Sequence, residues 1–483
     1  LAGVLAAQGV LAASIARVRG AGIGSVRTSV AEAALLAVRQ YLAVASTEDD
    51  WTERWRPGGR PLLISRDGVA FEVETLYAEP WQRFWHQLGA EHTAAAEGWW
   101  PFQQRFATAA AHLPPALHEA ARAVDYETAL RAASADGISV VPVRDDPAPP
   151  VDVPPYGFRP LPGTEREGLP KTDAPLSGIV VVESTRRIQG PMVGHVLRAL
   201  GAEVLRIEPP GGDPMRGIPP VADGCSARYR ALNDGKTPIE IDFTTSRGRR
   251  ALCDAVAGAD VFVHNWAPGK AEQLELTAED LVAARPGLIY AWSSGWDPLC
   301  WDGQPLGTDF LVQAHSGLAA AVYPADEPSA PSLMTLTDIL GGLVCAAGVL
   351  AALLRRVRTG VASRVDSSLY SASGLIPRPV SRRRLGELDR PLATADGYVV
   401  LPEGGGVRAV APILGLRPDV EPAEVAARLR RSSTRTWMDR LAEAGIPATP
   451  VCTDLRQLAR DSRFDAVLSG HGPVLPLAPW EFA

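Results

Sequence analysis

A chain of 483 residues exceeds what one ordinary hydrophobic core supports, so two or more domains are expected. With 46% hydrophobic and 21% charged residues it has the composition of a folded globular protein, and its net charge of −7 gives no ground for nucleic acid or an anionic membrane as a partner. The five cysteines (Cys225, Cys253, Cys300, Cys345, Cys452) and eight histidines show no CxxC or HExxH spacing, which predicts reduced thiols in the cytoplasm and no metal.

The chain opens on Leu1–Arg19, apolar at helical spacing and closed by basic residues before Gly20, Gly22 and Gly24. Its pattern GVLAAxxxRVR, Gly9–Arg19, returns as Gly348–Arg358, and agreement of that length predicts an internal duplication. Val26 and Ser29 then correspond to Val365 and Ser368, and the turn Asp67–Gly68 to Asp396–Gly397. Gly137–Ile138 with Pro142–Val143 corresponds to Gly445–Ile446 with Pro450–Val451. Residues 1–144 therefore read as the later half of a first unit, entered just after the counterpart of Asp338.

Residues 145–177, proline-rich and polar, read as a linker. The second unit is expected to comprise a large domain over 178–385 and a small α+β domain with a returning tail over 386–483. The run GIVVVE from Gly178 predicts a buried parallel strand, and STRRIQGP leads from it into a helix over Met192–Leu200. Strands over Glu203–Glu208, Asp260–His264 and Leu288–Ser293, with a helix over Arg247–Ala257, extend an α/β alternation. This is a Rossmann-like, mostly parallel sheet, and without GxGxxG it carries no dinucleotide fingerprint.

Near the end of the large domain Asp338 precedes sixteen uncharged, largely apolar residues, Ile339–Leu354, before Arg355 and Arg356. A buried helix headed by one acid is the direct reading, with Asp338 as its N-cap. The other reading of that acid is a nucleophile.

Seven pieces stand in order here: LSGIVVVE, QGP (Gln189–Pro191), LGAEVLRIEPPGGDPMRG, NDGK (Asn233–Lys236), ADVFVHNWAPG, DFLVQAHSGL (Asp309–Leu318) and TDILGG. Together they resemble the family III CoA-transferases, the CaiB/BaiF family, over Pro175 to about Pro450. That resemblance implies an interlocked-dimer fold and coenzyme A as co-substrate. It also implies transfer between an acyl-CoA and a small carboxylic acid through an aspartyl-CoA thioester on Asp338. Gln189 would line the acyl or pantetheine end of the site, and Arg216 and Lys236 would meet the CoA phosphates. Asn265 and Gly269 would belong to the loop after the third strand.

Some cations of the family are missing, at Gln273–Leu274 and at Ser294, and His264 replaces a glutamate. A 2-methylacyl-CoA racemase is the enzymatic alternative, but Thr308 stands where that branch has its histidine. A non-catalytic scaffold unit is the other alternative. Two units in one chain could pair with each other or with a second chain.

Overall fold

The computed structural model describes residues 1–47, 61–164, 174–300, 304–403, 405–469 and 472–483. A seven-stranded sheet forms its centre, in the order Thr237–Glu240, Glu203–Glu208, Val180–Ser184, Val261–His264, Ile289–Ser294, Val361–Ser368 and Tyr156–Thr164. The first six run parallel and Tyr156–Thr164 joins antiparallel at the edge. Alternate side chains feed two cores, as the two-residue period of a strand requires. Val181, Val263 and Ala291 face one helical layer, and Val182, Phe262 and Tyr290 face the other.

The predicted α/β alternation is present. Glu203–Glu208 keeps its expected bounds, and the following helices and strands shift by one to three residues. Within the expected linker, Tyr156–Thr164 joins the large sheet. Proline cannot donate to a ladder, so a segment carrying Pro160 is compatible with a sheet at its edge. Residues 165–173 of the linker lie outside the described residues.

On the first layer lies the helix Leu336–Thr359, whose face toward the sheet and its neighbours is almost continuously buried. At 24 residues it is long and apolar enough to cross a membrane, and here it is the core helix. It packs against Gln189–Ala199 and against Ala2–Val18, where the Gln8 side chain donates to the Leu343 carbonyl at 2.6 Å. Gly360, at a φ of 74°, ends it in the left-handed conformation that glycine adopts without strain.

Two small three-stranded antiparallel sheets flank the large one. The first is Leu63–Ile64, Ala70–Glu74 and Ser139–Pro142, backed by a core of Trp81, Phe84, Trp85 and Phe102. The second is Leu392–Ala393, Tyr398–Val400 and Thr449–Pro450, backed by Val410, Leu429 and Trp437. In each, the central strand pairs with a Leu on one side and a Pro on the other: Phe71 with Leu63 and Pro142, Val399 with Leu392 and Pro450.

After each small sheet the chain returns to the other half of the molecule. Tyr156–Thr164 follows the first and pairs with Val361–Ser368, while Glu481–Phe482 follows the second and pairs with Val26–Arg27. The packing beneath the two returns is alike. A Cβ on Gly9 would fall 2.8 Å from Val26 and 2.9 Å from Trp480; one on Gly348 would fall 2.7 Å from Val365 and 3.2 Å from Tyr156.

Candidate active site

The first turn of the central helix departs from expectation in a way that exposes its chemistry. Thr335 stands at the N-cap position and Asp338 is the third helical residue, so Asp338 does not cap. The cap comes from another helix: Oδ1 of Asp309 accepts from the Thr337 amide (2.6 Å), the Thr337 hydroxyl (2.5 Å) and the Asp338 amide (3.1 Å). Its Oδ2 accepts from the Gln313 amide at 2.5 Å. The unpaired amides at the true start of the helix, those of Thr337 and Asp338, are thus satisfied by Asp309. Asp338 itself is half-buried, and among the described residues its carboxylate accepts no hydrogen bond.

Both acids hold their protons more tightly than an ordinary carboxyl. Burial pushes Asp309 up to about 6, against the hydrogen bonds it accepts. Asp338 is raised well above the usual range, first by burial and then by the Asp309 charge, with Arg187 pulling the other way and Glu74 adding to the rise. With three donors on one oxygen, Asp309 is the member of the pair that ionises first. At Asp338, burial beside a second carboxylate outweighs the pull of the helix dipole toward the ionised form.

The loop before Gln189 meets this turn closely. Gly341 and Gly342 leave room for it, since a Cβ on Gly342 would lie 2.5 Å from the Gln189 carbonyl and one on Gly341 3.1 Å from the Gln189 amide nitrogen. Gln189 is buried, donates to the Ser294 carbonyl at 2.9 Å and stands against the Asp338 helix. Asn265 braces the same loop, accepting from the Arg186 amide and donating to the Arg186 carbonyl, each at 3.0 Å. Gly269, at a φ of 74°, starts the short helix Lys270–Leu274 and provides a backbone bend.

Arg216 and Lys236, the two candidates for the CoA phosphates, are engaged inside the protein. Arg216 holds both oxygens of Glu208 at 2.9 Å and donates to the Tyr229 hydroxyl at 2.8 Å, its guanidinium 4.2 Å over the Tyr229 ring. Lys236 is buried among Glu183 (2.9 Å), the Pro191 carbonyl (2.7 Å) and Asn233 (3.0 Å), which exhausts its three protons. Burial lowers its ammonium to about 8, with Glu183 opposing. Glu183 also pairs with Arg206, which reaches Asp213 at 2.6 Å, so Lys236 belongs to a buried charge network that sets the strand edge.

The first half of the chain forms one wall. The Asp309–His315 helix packs against strands Ala70–Glu74 and Ser139–Pro142, and Arg105 stacks 4.6 Å over Phe310 while binding Glu72 and Glu74. Sequence reading left Arg187, Asp309 and Glu74 out of the site. Asp309 had a signal, its place in the DFLVQAHSGL stretch; the other two had none. His315 lies at the opposite end of its helix from Asp309, its ring 5.6 Å from that of Trp296.

A model of CoA-transferase family III matches residues 176–379. Succinyl-CoA:mesaconate CoA-transferase of Haloarcula marismortui is 30% identical over 319 residues, covering 57% of this chain and 80% of that one. The chain belongs to CoA-transferase family III. Among other family III proteins it is 32% identical over 255 residues to the probable fatty acyl-CoA transferase Rv3272 of Mycobacterium tuberculosis, spanning 47% of this chain and 65% of that one. It is 26% identical over 347 residues to acetyl-CoA:oxalate CoA-transferase of Acetobacter aceti, spanning 64% and 89%. Among solved structures, a CaiB/BaiF family protein from Brucella suis matches with a TM-score of 0.55 at 27% identity, covering 63% of this chain and 91% of that one.

Proposed function

We propose that this chain moves CoA between an acyl-CoA thioester and a carboxylic acid, with Asp338 as the covalent nucleophile. The observation that carries the reading is a carboxylate at the first turn of a buried helix whose capping duty is taken by another residue, Asp309. In the proposed cycle an Asp338 oxygen attacks the thioester carbonyl, the C–S bond breaks, and a mixed anhydride forms with release of CoA thiolate. The thiolate then attacks the Asp338 carbonyl, expels the donor acid as its carboxylate and leaves an aspartyl-CoA thioester. An acceptor carboxylate attacks that thioester to give the second anhydride, and the returning thiolate takes the new acyl group and restores Asp338.

Attack needs the ionised acid, so the proton that burial and Asp309 hold on Asp338 must leave first. Arg187 favours that loss. The Gln189 amide stands next to the same turn and is suited to donate to the oxyanion of each tetrahedral adduct.

The matched packing of Gly9–Val26 and Gly348–Val365, with the two crossed tail strands, supports a second part of the proposal. The halves are fused copies that interlock within one chain. Light scattering of the purified chain is expected to return the mass of one chain.

The test of the chemistry is mass spectrometry after mixing with a panel of acyl-CoA donors. A CoA adduct on the Asp338 peptide, absent from Asp338→Ala, supports the transferase. No adduct and no CoA exchange with any donor would refute it.

A further inference from the structure

The loop between the strand Val180–Ser184 and Gln189 holds Arg187 in the left-handed region, at a φ of 62°. Arginine has no intrinsic preference for that conformation, and such strain persists where the surroundings fix it. Two contacts do so. Asn265 clamps both backbone groups of the preceding residue, Arg186, at 3.0 Å, and the Arg187 guanidinium lies 5.4 Å from the Phe106 ring, which comes from the first half of the chain.

The side chain is half-buried, and among the described residues it has no carboxylate and no hydrogen-bond acceptor. Arg206, Arg216 and Arg105, by contrast, have acidic partners. Arg187 stands two residues before Gln189, whose carbonyl and side-chain amide press on Gly342 and Gly341 of the Asp338 helix, and its charge favours the ionised form of Asp338. A strained, stacked and unpaired guanidinium beside a nucleophile is arranged for an anion brought by the substrate.

The anion is not a CoA phosphate, because in an acyl-CoA the length of the pantetheine arm separates the phosphates from the thioester that meets Asp338. Nor does the reacting carboxylate fit well. It loses its charge on forming each anhydride, which would leave the guanidinium without a counter-charge partway through every turnover, and pairing would blunt its nucleophilicity. A second carboxylate on the same acid keeps its charge through all of these intermediates.

Resting on the transferase reading above, we propose that Arg187 is a specificity-determining residue that pairs with a second, non-reacting carboxylate, so that the acids exchanged by this chain are dicarboxylic. The planar fork backed by Phe106 suits bidentate pairing with that group.

The test compares glutarate with pentanoate as acceptors, and succinyl-CoA with butyryl-CoA as donors, in the wild-type chain, Arg187→Met and Arg187→Lys. In the wild type, glutarate should exceed pentanoate on the order of 100-fold in kcat/KM, because the analogue lacking the carboxylate leaves a polar group unpaired. Arg187→Met keeps a side chain over Phe106 and should lose that preference, the glutarate kcat/KM falling toward that of pentanoate mainly through KM, with the thermal midpoint unchanged. Arg187→Lys should recover part of it. Equal use of both acids by the wild type, or an equal fall for both in Arg187→Met, would overturn the inference. Adduct formation on Asp338, followed with both donors in the same samples, separates the two readings: an adduct without dicarboxylate preference refutes the role of Arg187 and leaves the transferase standing.

Discussion

The Asp309 charge makes Asp338 harder to ionise, while Asp309 itself, raised by burial, is held charged by the donors around it. As pH falls, Asp338 gains its proton first and stops being a nucleophile, so the acid limb of kcat/KM is expected well above an ordinary carboxyl. Asp309→Asn removes the repelling charge while keeping an oxygen for the cap. The limb should then move to lower pH by about 1 unit, or about 1.4 kcal/mol, read from the pH profile. An unmoved limb would assign it to another group.

A second residue-scale prediction concerns stability. Burial lowers His264 to about 3, and its Nε2 has no partner among the described residues. Its folded pKa lies below the unfolded value near 6.5, so the neutral ring favours the folded state above that value and the advantage is lost as pH falls. At pH 5 this one group costs about 2 kcal/mol. His264→Phe, which suits the surrounding Phe262, Trp266 and Trp292 rings, should narrow the drop in thermal midpoint between pH 7 and pH 5.

At the scale of elements, the central helix and the loop before Gln189 depend on two glycines. Gly to Ala inside a helix usually stabilises by roughly 1 kcal/mol. At Gly342 the sign should reverse, because the new methyl would sit 2.5 Å from the Gln189 carbonyl and 2.6 Å from Met192 Cβ, forcing the two helices apart. A loss of about 1–3 kcal/mol is expected from denaturant titration of Gly342→Ala, with activity falling alongside because the Gln189 loop moves.

The parallel strands were legible because a β-branched run such as Val180–Val182 declares a strand buried on both faces. What the sequence did not disclose was which partner each charge would find. Lys236 and Arg216 look like free cations in a line of letters; one meets Glu183, 53 positions away, and the other Glu208 across a bend. Tyr156–Thr164 was read as linker for the same reason, since its ladder partner Val361–Ser368 lies some 200 residues on. Asp338 stood out as the single acid heading an apolar run and the resemblance gave it a role, whereas Arg187 did not stand out at all, because its strained φ and the Phe106 ring are properties of the fold.

At the scale of the molecule, the halves are joined by more than the linker. Arg19 donates to the Pro175 and Ser177 carbonyls, Arg228 to the Ala107 carbonyl, and Trp480 to the Leu5 carbonyl at 2.8 Å while packing on Gly9. Trp480→Ala opens a space beneath the Val26 strand and removes that bond. About 3–5 kcal/mol of destabilisation is expected by chemical denaturation. Hydrogen exchange should quicken at residues 2–27 as well as at 480–483, and faster exchange confined to the tail would refute the coupling.

The crossed tails also set the order in which the chain can fold. The Val26 strand waits for Phe482, so a ribosome must deliver the chain through Phe482, more than 450 residues on, before that strand can pair. Contacts that far apart slow folding and leave unpaired edges open to aggregation in the interval, so this chain is expected to rely on chaperones during synthesis. Once both tails are seated, each is held by a half that it also helps to hold. Losing one loosens the other, and unfolding should proceed as a single cooperative event rather than domain by domain.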